Sequence, residues 1–280
     1  MAKADLHIHS NHSDGSDTIK ELVKNIEHAN IEIFALTDHD SIEGCIEIEK
    51  FLPPSIKFIP SIELTCKAGD IKCHILGYNC DPQNSTLNNL IQKGKGLRKQ
   101  KLETRIDYLK SQWGIELTQE EKEWLYSRKS VVKTHIANIL VNRGLACDNV
   151  SAMKKYLDGC KSGDTRFSGE EAIAAIISAG GIPIWAHPLG GEGEPHLAAA
   201  EFLPKLKTML SFGIRGLECY YSRYNEIEIN FLLECCKNYN LLASGGSDYH
   251  GTNKTIPLAK LNTNNSPIDS RNLSILDEIL

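Results

Sequence analysis

The sequence lacks any uninterrupted run of about 18 apolar residues, the length that a membrane-spanning helix requires. Residues 1–5 also lack the apolar segment of a secretion signal, so we expect a cytoplasmic protein with no membrane association. Positive charge is scarce as well, because 31 Lys and Arg stand against 36 Asp and Glu, giving a formal net charge of -5. That balance provides no global attraction for a nucleic-acid backbone, and no stable nucleic-acid complex is expected.

Cysteine occurs nine times, but the positions are scattered and contain no Cys-x-x-Cys pair. An odd and irregular set does not suggest a disulfide framework, so we expect reduced thiols. The 280 residues, 41% of them hydrophobic, are enough to bury a large core, and α/β barrels of this length often form one domain. One domain with an insertion is therefore the expected organisation, and the sequence leaves the oligomeric state open.

Short β-branched runs alternate with amphipathic stretches in the first part of the chain, which is the rhythm of parallel βα units. Strands are predicted at 4–8, 32–37, 57–63 and 71–76, with helices near 18–29 and 41–51. The rhythm returns with helices at 168–179, 198–212 and 225–239 and strands at 181–186, 214–219 and 241–245. The intervening sequence is helical. We therefore predict an α/β barrel made of residues 1–84 and 168–280, and a helical insertion at 85–167 that caps the substrate site.

The first predicted strand carries two histidines, His7 and His9, one residue apart. Side chains alternate across a strand, so both imidazoles point the same way and form a clamp for a divalent cation. Other metal-type side chains recur in the loop that follows and near the ends of later strands: Asp14, His39, Glu63, His74, His187, Asp248 and His250. In a parallel barrel the strand ends form one face, where active sites are built from successive loops. The nine side chains are therefore expected to converge.

Nine ligands are too many for a single ion. At three or four protein ligands per catalytic metal, they suit two or three divalent cations with open positions for water. Three such cations against three carboxylates leave a local charge of about +3, so an acidic protein would gain a cationic pocket. Such a pocket attracts a phosphate dianion, and two ions about 3.5–4 Å apart turn a bridging water into hydroxide at neutral pH.

Together, these residues and their neighbours resemble the PHP (polymerase and histidinol phosphatase) family of metal-dependent phosphoesterases. The matching motifs are Asp5-x-His7-x-His9-Ser10, Ser13-Asp14-Gly15, Thr37-Asp38-His39-Asp40, Glu63, His74, Ala186-His187-Pro188 and Ser247-Asp248-x-His250-Gly251. The length and the helical insertion resemble the small stand-alone phosphatases that act on nucleoside 5'-monophosphates and 3',5'-bisphosphates. The resemblance implies a distorted, TIM-like (β/α)7 barrel that holds three metal ions, usually Mn, Fe or Zn.

The resemblance also implies how the ligands divide among the metals. One metal would bind His7, His9, Glu63 and Asp248, a second Asp14, His39 and His250, and a third Glu63, His74 and His187, with Glu63 as the bridge. The implied reaction is in-line attack of a metal-bridging hydroxide on phosphorus. The sequence does not identify the physiological metal, because mixed nitrogen and oxygen ligation suits Mn, Fe and Zn alike.

Residues beside the ligands have expected supporting roles. Asp5 and Asp38 would orient imidazoles through their free N–H groups, or alternatively cap the loops that they begin. Ser10, in the first motif, is expected to contact the substrate. His196, in the glycine-rich segment 190–196, is a candidate acid for the leaving group, with a plain flexible loop as the alternative.

One lysine, one histidine and one arginine are further candidate substrate contacts. Lys133 and His135 lie in segment 132–137, which resembles a family segment where a basic residue and a histidine face the substrate. A lysine stands where arginine is commoner, so a point charge would replace bidentate gripping of phosphate. Arg223, after the strand predicted at 214–219, is expected to pair a second phosphate. The alternative for each is a surface charge or a helix partner.

The leading hypothesis is a metal-dependent phosphatase that acts on a small phosphorylated metabolite, with a nucleoside monophosphate or 3',5'-bisphosphate as the first choice. Rivals within the family are histidinol phosphatase, a sugar cyclic-phosphate phosphodiesterase and a 3'-5' exonuclease of short oligonucleotides. A non-catalytic scaffold would show loss of a ligand, and none is lost here. An amidohydrolase also uses a metal-rich barrel, but no lysine suited to carbamylation stands at a predicted strand end.

Overall fold

Eight strands form one sheet in the computed structural model, which describes residues 2–128, 131, 133–261 and 266–280. The strands are β1 (Ala4–Ile8), β2 (Ile33–Leu36), β3 (Lys57–Ala68), β4 (Ile71–Tyr78), β5 (Phe167–Ser168), β6 (Ile182–Trp185), β7 (Gly216–Tyr221) and β8 (Leu242–Gly246). Their order is β1-β2-β3-β4-β6-β7-β8, and β5 pairs with β3 outside this path.

The seven strands of the main path curl into a nearly closed barrel. Its two edges meet where the amide of Asp248 donates to the carbonyl of His7 and the amide of His9 donates to the carbonyl of Tyr249, both at 2.9 Å. Gly246 permits this approach, because a Cβ there would lie 2.2 Å from the Cβ of His7 and 2.4 Å from its N. The predicted distorted barrel is confirmed, and its closure brings the first and last metal-type motifs together.

One strand runs against the predicted direction. β4 pairs antiparallel with both β3 and β6, whereas the sequence pattern predicted parallel βα units throughout this part. β3 also continues to Ala68, beyond the predicted end at residue 63, and only Gly69 and Asp70 separate it from β4. A parallel connection needs a crossover of about a dozen residues, so this two-residue link permits only a hairpin. The seven residues between the predicted strands were already too few for a crossover.

The helices of the barrel unit are α1 (Ile19–His28), α2 (Glu43–Ile48), α7 (Gly169–Ser178), α8 (Ala199–Ser211), α9 (Glu226–Tyr239) and α10 (Leu276–Ile279), with 3-10 turns at Gly251–Asn253 and Ser270–Asn272. The sequence of α1 shows why these segments are helical. Thr18 and Glu21 form a reciprocal capping box at its N terminus. Its buried side chains recur at three- and four-residue spacing, as a core-facing helix requires: Ile19, Leu22, Val23 and Ile26.

The chain divides into two compact units, one made of residues up to Ile91 with Arg166–Leu280, and one of Gln92–Thr165. Helix α3 (Ser85–Trp113) begins in the first unit, where Leu87 is buried in the barrel core. The separate unit therefore starts later than residue 85, the predicted start of the insertion, because the first turns of α3 pack with the barrel.

The second unit contains the rest of α3 with α4 (Gln119–Tyr126), α5 (Lys133–Asn142), α6 (Asn149–Ala152) and a π-helical turn at Met153–Leu157. It has a hydrophobic core of its own, which includes Leu109, Leu125, Ile136, Leu140 and Leu157. Across the described parts of both units, no helix combines the length and apolar character needed to span a membrane.

Candidate metal centre

The alternation of side chains along β1 sets the first part of the site. His7 and His9 are fully buried, and their ring centroids lie 5.2 Å apart. Leu6 and Ile8, the residues that alternate with these histidines, belong to the hydrophobic core instead. The histidine pair therefore faces a common space, as its spacing predicted.

The buried carboxylate of Glu63, on β3, lies at the centre of the cluster. Its Oε2 is 3.2 Å from Nε2 of His7 and 3.1 Å from Nε2 of His9. The same oxygen is 3.2 Å from Nδ1 of His39, which follows β2. One carboxylate oxygen thus faces imidazoles from two neighbouring strands.

The other oxygen of Glu63 faces two more histidines. Oε1 lies 3.0 Å from Nδ1 of His74 and 3.3 Å from Nε2 of His187. His74 sits in the first half of β4, and because β4 runs antiparallel, that half lies level with Thr65 beyond Glu63 on β3. The reversed strand direction therefore still delivers this imidazole to the predicted face.

Two further carboxylates complete the set, one buried (Asp248) and one partly exposed (Asp14). Oδ1 of Asp248 lies 3.6 Å from Nε2 of His7 and 3.5 Å from Nε2 of His9. Oδ1 of Asp14 lies 3.1 Å from Nε2 of His250. Nδ1 of His250 is 2.8 Å from the carbonyl oxygen of Asp248, which leaves Nε2 directed at Asp14. All nine predicted ligands therefore meet in one cluster.

Three groups within the cluster have ligand atoms that all lie within 4.8 Å of one another. They are His9 with Asp14, His39 and His250; His7 with His9 and Glu63; and His39 with Glu63 and His74. Compared with the sets implied by the family resemblance, His9 joins the second group and His39 takes the place of His187 in the third. Asp248 lies outside the first group. The imidazoles are close enough together for adjacent ions to share side chains.

The donor set fits divalent cations. Among the described residues, three buried imidazole nitrogens of the cluster lie 3.1–3.2 Å from a carboxylate oxygen without forming a hydrogen bond of normal geometry: Nε2 of His9, Nδ1 of His39 and Nε2 of His250. Leaving buried polar atoms unpaired is costly, and such atoms in a native fold call for an ion or a water. A cation bound by imidazole nitrogens and carboxylate oxygens would satisfy all three.

The charge state of the central carboxylate suits this role. Burial alone would raise the pKa of Glu63, but the surrounding imidazoles of His39, His7 and His74 hold that pKa well below its ordinary value. Burial likewise opposes ionisation of Asp14 and Asp248, and contacts with the histidines lower the pKa of both. The three carboxylates are therefore anionic at neutral pH.

His9 and His7 differ in the direction in which their surroundings shift the pKa. Burial lowers the pKa of His9 well below its ordinary value, and the neighbouring His250 and His39 lower it further. A neutral imidazole is the form that binds metal. For His7, burial is outweighed by the carboxylates of Glu218, Glu63 and Asp248, which raise its pKa well above the ordinary value. A cation among those carboxylates would take the place of the proton on His7.

Glu218 is a buried residue of the site that the sequence analysis missed. Its Oε1 lies 2.8 Å from Nδ1 of His7, and its Oε2 accepts a hydrogen bond from the backbone amide of His187 at 2.7 Å. It therefore fixes the ring of one ligand and the backbone of another. A signal was present: Glu218 is the lone charged residue in the apolar strand β7, and Glu is almost never fully buried unless paired.

The predicted role of Asp5 is wrong. Its carboxylate accepts hydrogen bonds from the amides of Ser247 at 2.9 Å and Ala259 at 2.7 Å, and from the hydroxyl of Ser247 at 2.6 Å. Burial outweighs these bonds and raises the pKa of Asp5 to about 6. Asp5 orients no imidazole among the described residues, and instead ties β1 to the chain that follows β8.

Asp38 and Ser10 bond to each other and to groups of the loop that follows β1, and no hydrogen bond of Asp38 to an imidazole is seen among the described residues. Asp38 accepts from the amide of Ser10 at 2.8 Å, from its hydroxyl at 2.7 Å and from the hydroxyl of Ser13 at 2.6 Å. The Ser10 hydroxyl also accepts from the amide of His12 at 3.1 Å, and Ser10 is fully buried. Asp38 thus shapes the loop that carries Asp14, which agrees with the alternative role of loop capping, while substrate contact by Ser10 stays a prediction.

Asp248 has two further partners that the sequence analysis did not assign to the site. Its Oδ2 accepts from the hydroxyl of Tyr221 at 2.9 Å and from Nζ of Lys254 at 2.7 Å. These contacts occupy Oδ2 and leave Oδ1 facing His7 and His9. The carboxylate is therefore held in one orientation.

The backbone is strained at the same place. His187 has φ 29° and Asp248 has φ 59°, and the neighbour of His39, Asp40, has φ 49°. Non-glycine residues in this region cost of order 1–3 kcal/mol and persist only where surrounding contacts impose them. The hydrogen bonds of Glu218 to His187 and of Lys254 to Asp248 are such contacts.

Two predicted substrate contacts belong to the helical unit, and residue 132 of their segment lies outside the described residues. Lys133, at the start of α5, pairs with Asp158. His135 lies edge-on to Trp124, with ring centroids 5.7 Å apart, and burial followed by the charge of Arg128 lowers its pKa. Their role as substrate contacts stays a prediction.

Arg223, a predicted substrate contact, and His196, the predicted leaving-group acid, lie in the barrel unit. Arg223 pairs with Glu192 of the glycine-rich segment, so its guanidinium is already engaged by a carboxylate. Nδ1 of His196 bonds to Glu228 in the first turn of α9, and its ring lies edge-on to Tyr224 at 5.2 Å. None of the recorded contacts of His196 joins it to the nine clustered ligands.

The strand ends of this barrel bring imidazoles and carboxylates together in one cluster. An arrangement of this kind defines a metal-binding hydrolase site. The chain belongs to the PHP family of metal-dependent phosphoesterases, and the PHP domain profile matches residues 5–164. This family assignment confirms the one suggested by the sequence motifs.

Curated relatives match nearly the whole chain. A 5'-3' exoribonuclease of Haemophilus influenzae is 29% identical over 99% of this chain and 97% of its own length. A 3',5'-nucleoside bisphosphate phosphatase of Chromobacterium violaceum is 27% identical over 89% of this chain and 88% of its own. Among solved structures, a protein of Bifidobacterium adolescentis assigned to the metal-dependent phosphoesterases covers all of this chain with a TM-score of 0.75 at 24% identity, which supports the fold.

Proposed function

We propose that this protein hydrolyses a phosphate monoester of a small metabolite, with a nucleoside 3',5'-bisphosphate or a nucleoside monophosphate as substrate. The observation that carries the proposal is the position of Glu63, whose two oxygens lie within 3.0–3.3 Å of five imidazoles. That arrangement suits two or three divalent cations of the Mn, Fe or Zn type. The similarity to a nucleoside bisphosphate phosphatase over most of both chains supports the substrate class.

The proposed ligand sets are those implied by the family resemblance, and they overlap the three groups seen in the cluster without matching them residue for residue. His7, His9, Glu63 and Asp248 would hold one ion, and Asp14, His39 and His250 a second, while Glu63, His74 and His187 would hold a third if three are bound. Ions at these positions would supply Lewis-acid stabilisation of phosphate charge and lower the pKa of bound water. The protein's part is to orient the ligands, through Glu218 on His7 and through Lys254 and Tyr221 on Asp248.

A test combines metal content with phosphate release. The metal-loaded protein, incubated with a panel of phosphate esters, should release inorganic phosphate, and Glu63→Gln should lose both metal and activity. Glu27→Gln, at an exposed position on α1, is the matched control and should retain both. A folded, metal-loaded wild-type protein that leaves the whole panel intact would contradict the proposal.

Stepwise cleavage of short RNA is the second candidate function. It is favoured by the similarity to a 5'-3' exoribonuclease over nearly the full length of both chains. The named direction of that relative differs from the 3'-5' direction of the exonuclease considered from sequence. Incubation with a 5'-phosphorylated oligoribonucleotide distinguishes the candidates, because an exonuclease yields a ladder of mononucleotide losses, whereas a phosphatase removes only the terminal phosphate.

A further inference from the structure

A cavity of about 380 Å³ lies in the barrel unit and is bordered by the two histidines at one end of the metal cluster, His74 and His187. This volume falls within the range of small-molecule sites, which is about 300–1,000 Å³. The cavity is distinct from the metal cluster itself, because the other seven clustered ligands do not line it. A molecule that presents a phosphate at His74 and His187 would place its remainder here.

One wall of the cavity is apolar. Its lining includes Ile71 and Trp185, from β4 and β6, and Leu189, Pro195 and Leu197, from the segment that follows β6. A wall of this composition suits the flat face of a ring rather than a fully hydrated ion.

The remaining lining is unusually cationic for a chain with a net charge of -5. Lys72, Arg166 and Lys205 contribute to it, against a single acid, Glu194. Glu194 accepts a hydrogen bond from the amide of Gly191 at 3.1 Å, so its carboxylate already has a partner within its own loop. Lys72 and Lys205 have no recorded ion-pair partner in the part of the chain that the structure describes.

Strand geometry places the first of these charges at a defined distance from the metal cluster. Lys72 and His74 are two residues apart on β4, so both point to the same face, about 7 Å apart along the strand. A pentose that carries two phosphate groups can bridge such a spacing. Arg223 does not line this cavity, and its guanidinium, expected from sequence to bind a second phosphate, is paired with Glu192.

We propose that this cavity binds the second anionic group of a substrate that carries two such groups, with Lys72 and Lys205 as the principal counter-charges, Arg166 beside them and Trp185 in the lining against the ring. The inference rests on the proposed function, and it narrows the substrate to phosphate esters with a further phosphate. That further group is either the other monoester of a nucleoside bisphosphate or the first phosphodiester of a short oligonucleotide, since both present the same anionic oxygens.

The test compares substrates that differ by one charged group. Lys72→Gln, Lys205→Gln and the double variant are assayed with adenosine 3',5'-bisphosphate, adenosine 5'-monophosphate and a 5'-phosphorylated adenosine dinucleotide. Each single variant should lower kcat/KM for a substrate with two anionic groups by about 10-fold, the usual worth of one charged hydrogen bond. The value for the monophosphate should stay within about twofold. Lys20→Gln, on the exposed face of α1, is the control and should change neither.

The substrates also identify the source of the anion. A loss confined to the bisphosphate assigns the cavity to a terminal phosphate, and a loss confined to the dinucleotide assigns it to a phosphodiester. Equal losses on all three substrates, or no loss on any, would overturn the inference. If the wild-type protein released phosphate from none of them, the proposed function would fail by itself. Calorimetric binding of the bisphosphate to wild-type and double-variant protein would then still decide whether the cavity is an anion site.

Discussion

The carboxylate of Glu218 lies 2.8 Å from Nδ1 of His7, and both side chains are completely buried. The same carboxylate accepts the backbone amide of His187 at 2.7 Å, so one side chain positions two of the proposed ligands. Because Nδ1 of His7 is used in this way, only Nε2 faces Glu63 and Asp248. The tautomer and the ring orientation of His7 are thereby fixed.

Replacing Glu218 by Gln should weaken the metal centre. A carboxylate can accept from both donors, whereas Gln has one acceptor oxygen and would turn its NH2 group toward the other N–H. Loss of such an outer-shell partner typically costs 10–100-fold in metal affinity or activity, and we expect an effect of about that size. Elemental analysis and phosphate release measure it, with Glu234→Gln, at an exposed position of α9, as the control. Full metal content and activity in Glu218→Gln would refute the positioning role.

The sequence predicted the strands and the metal-type residues well because both depend on local patterns. Alternation placed His7 and His9 together, and recurrence near the strand ends pointed to the other side chains that join them in the cluster. The direction of β4 was missed because the apolar pattern of a strand is the same in either direction. The length of the link decides the direction: the seven residues between the predicted strands already argued against a crossover, and the two-residue link through Gly69 and Asp70 permits only a hairpin.

Residues whose partners are distant in sequence were harder to predict. Glu218 is 211 positions from His7, and Asp5 is 242 positions from Ser247, so no spacing rule connects them. Adjacency to a ligand suggested that Asp5 and Asp38 bind imidazoles, but buried carboxylates also satisfy backbone amides, and here that need prevailed. Proximity in sequence therefore placed Asp5 and Asp38 correctly beside the metal cluster, but it did not identify the groups to which they bond.

Substituting Gly246 by Ala should disrupt the closure of the barrel at His7. The added Cβ would lie 2.2 Å from the Cβ of His7, and the contact includes backbone atoms that cannot rotate away. Overpacking of this kind typically costs about 1–3 kcal/mol, and displacement of His7 should also lower metal content. Urea denaturation and elemental analysis provide the measurements.

Gly96 offers the matched control, since it lies in α3 with no atom within 4 Å of an added Cβ. Gly96→Ala should raise the free energy of unfolding by about 0.5–1 kcal/mol, because alanine loses less entropy on entering a helix. If both variants shifted stability in the same direction and by the same amount, close packing at His7 would not be the cause.

Metal binding should release a proton at neutral pH. Burial opposes protonation of His7, but the carboxylates of Glu218, Glu63 and Asp248 raise its pKa well above 6.5, so the metal-free protein holds a proton there at pH 7. Since only the neutral imidazole binds metal, the proton must leave. Below the raised pKa, apparent metal affinity should therefore fall by up to about 10-fold for each unit of decreasing pH.

Calorimetric titration with Mn²⁺ at pH 7, in two buffers of different ionisation enthalpy, measures this release. Glu218→Gln should release less than the wild-type protein, because the first of the carboxylates that raise the pKa of His7 is gone. Identical heats in both buffers for the wild-type protein would contradict the expected protonation of His7.

His196→Gln should leave turnover nearly unchanged, within about threefold. A leaving-group acid contributes about 10²–10⁴-fold, but His196 is committed to Glu228 and packs edge-on against Tyr224, so its contacts are those of a residue that anchors the start of α9. The pH profile of kcat gives a second readout, since removal of a catalytic acid would abolish the alkaline limb. His74→Gln provides the contrast, because it removes a proposed ligand and should lower metal content together with rate. A loss of 100-fold or more in His196→Gln, with metal content and unfolding midpoint intact, would restore the acid role and require the glycine-rich segment to move toward the metal centre during the reaction.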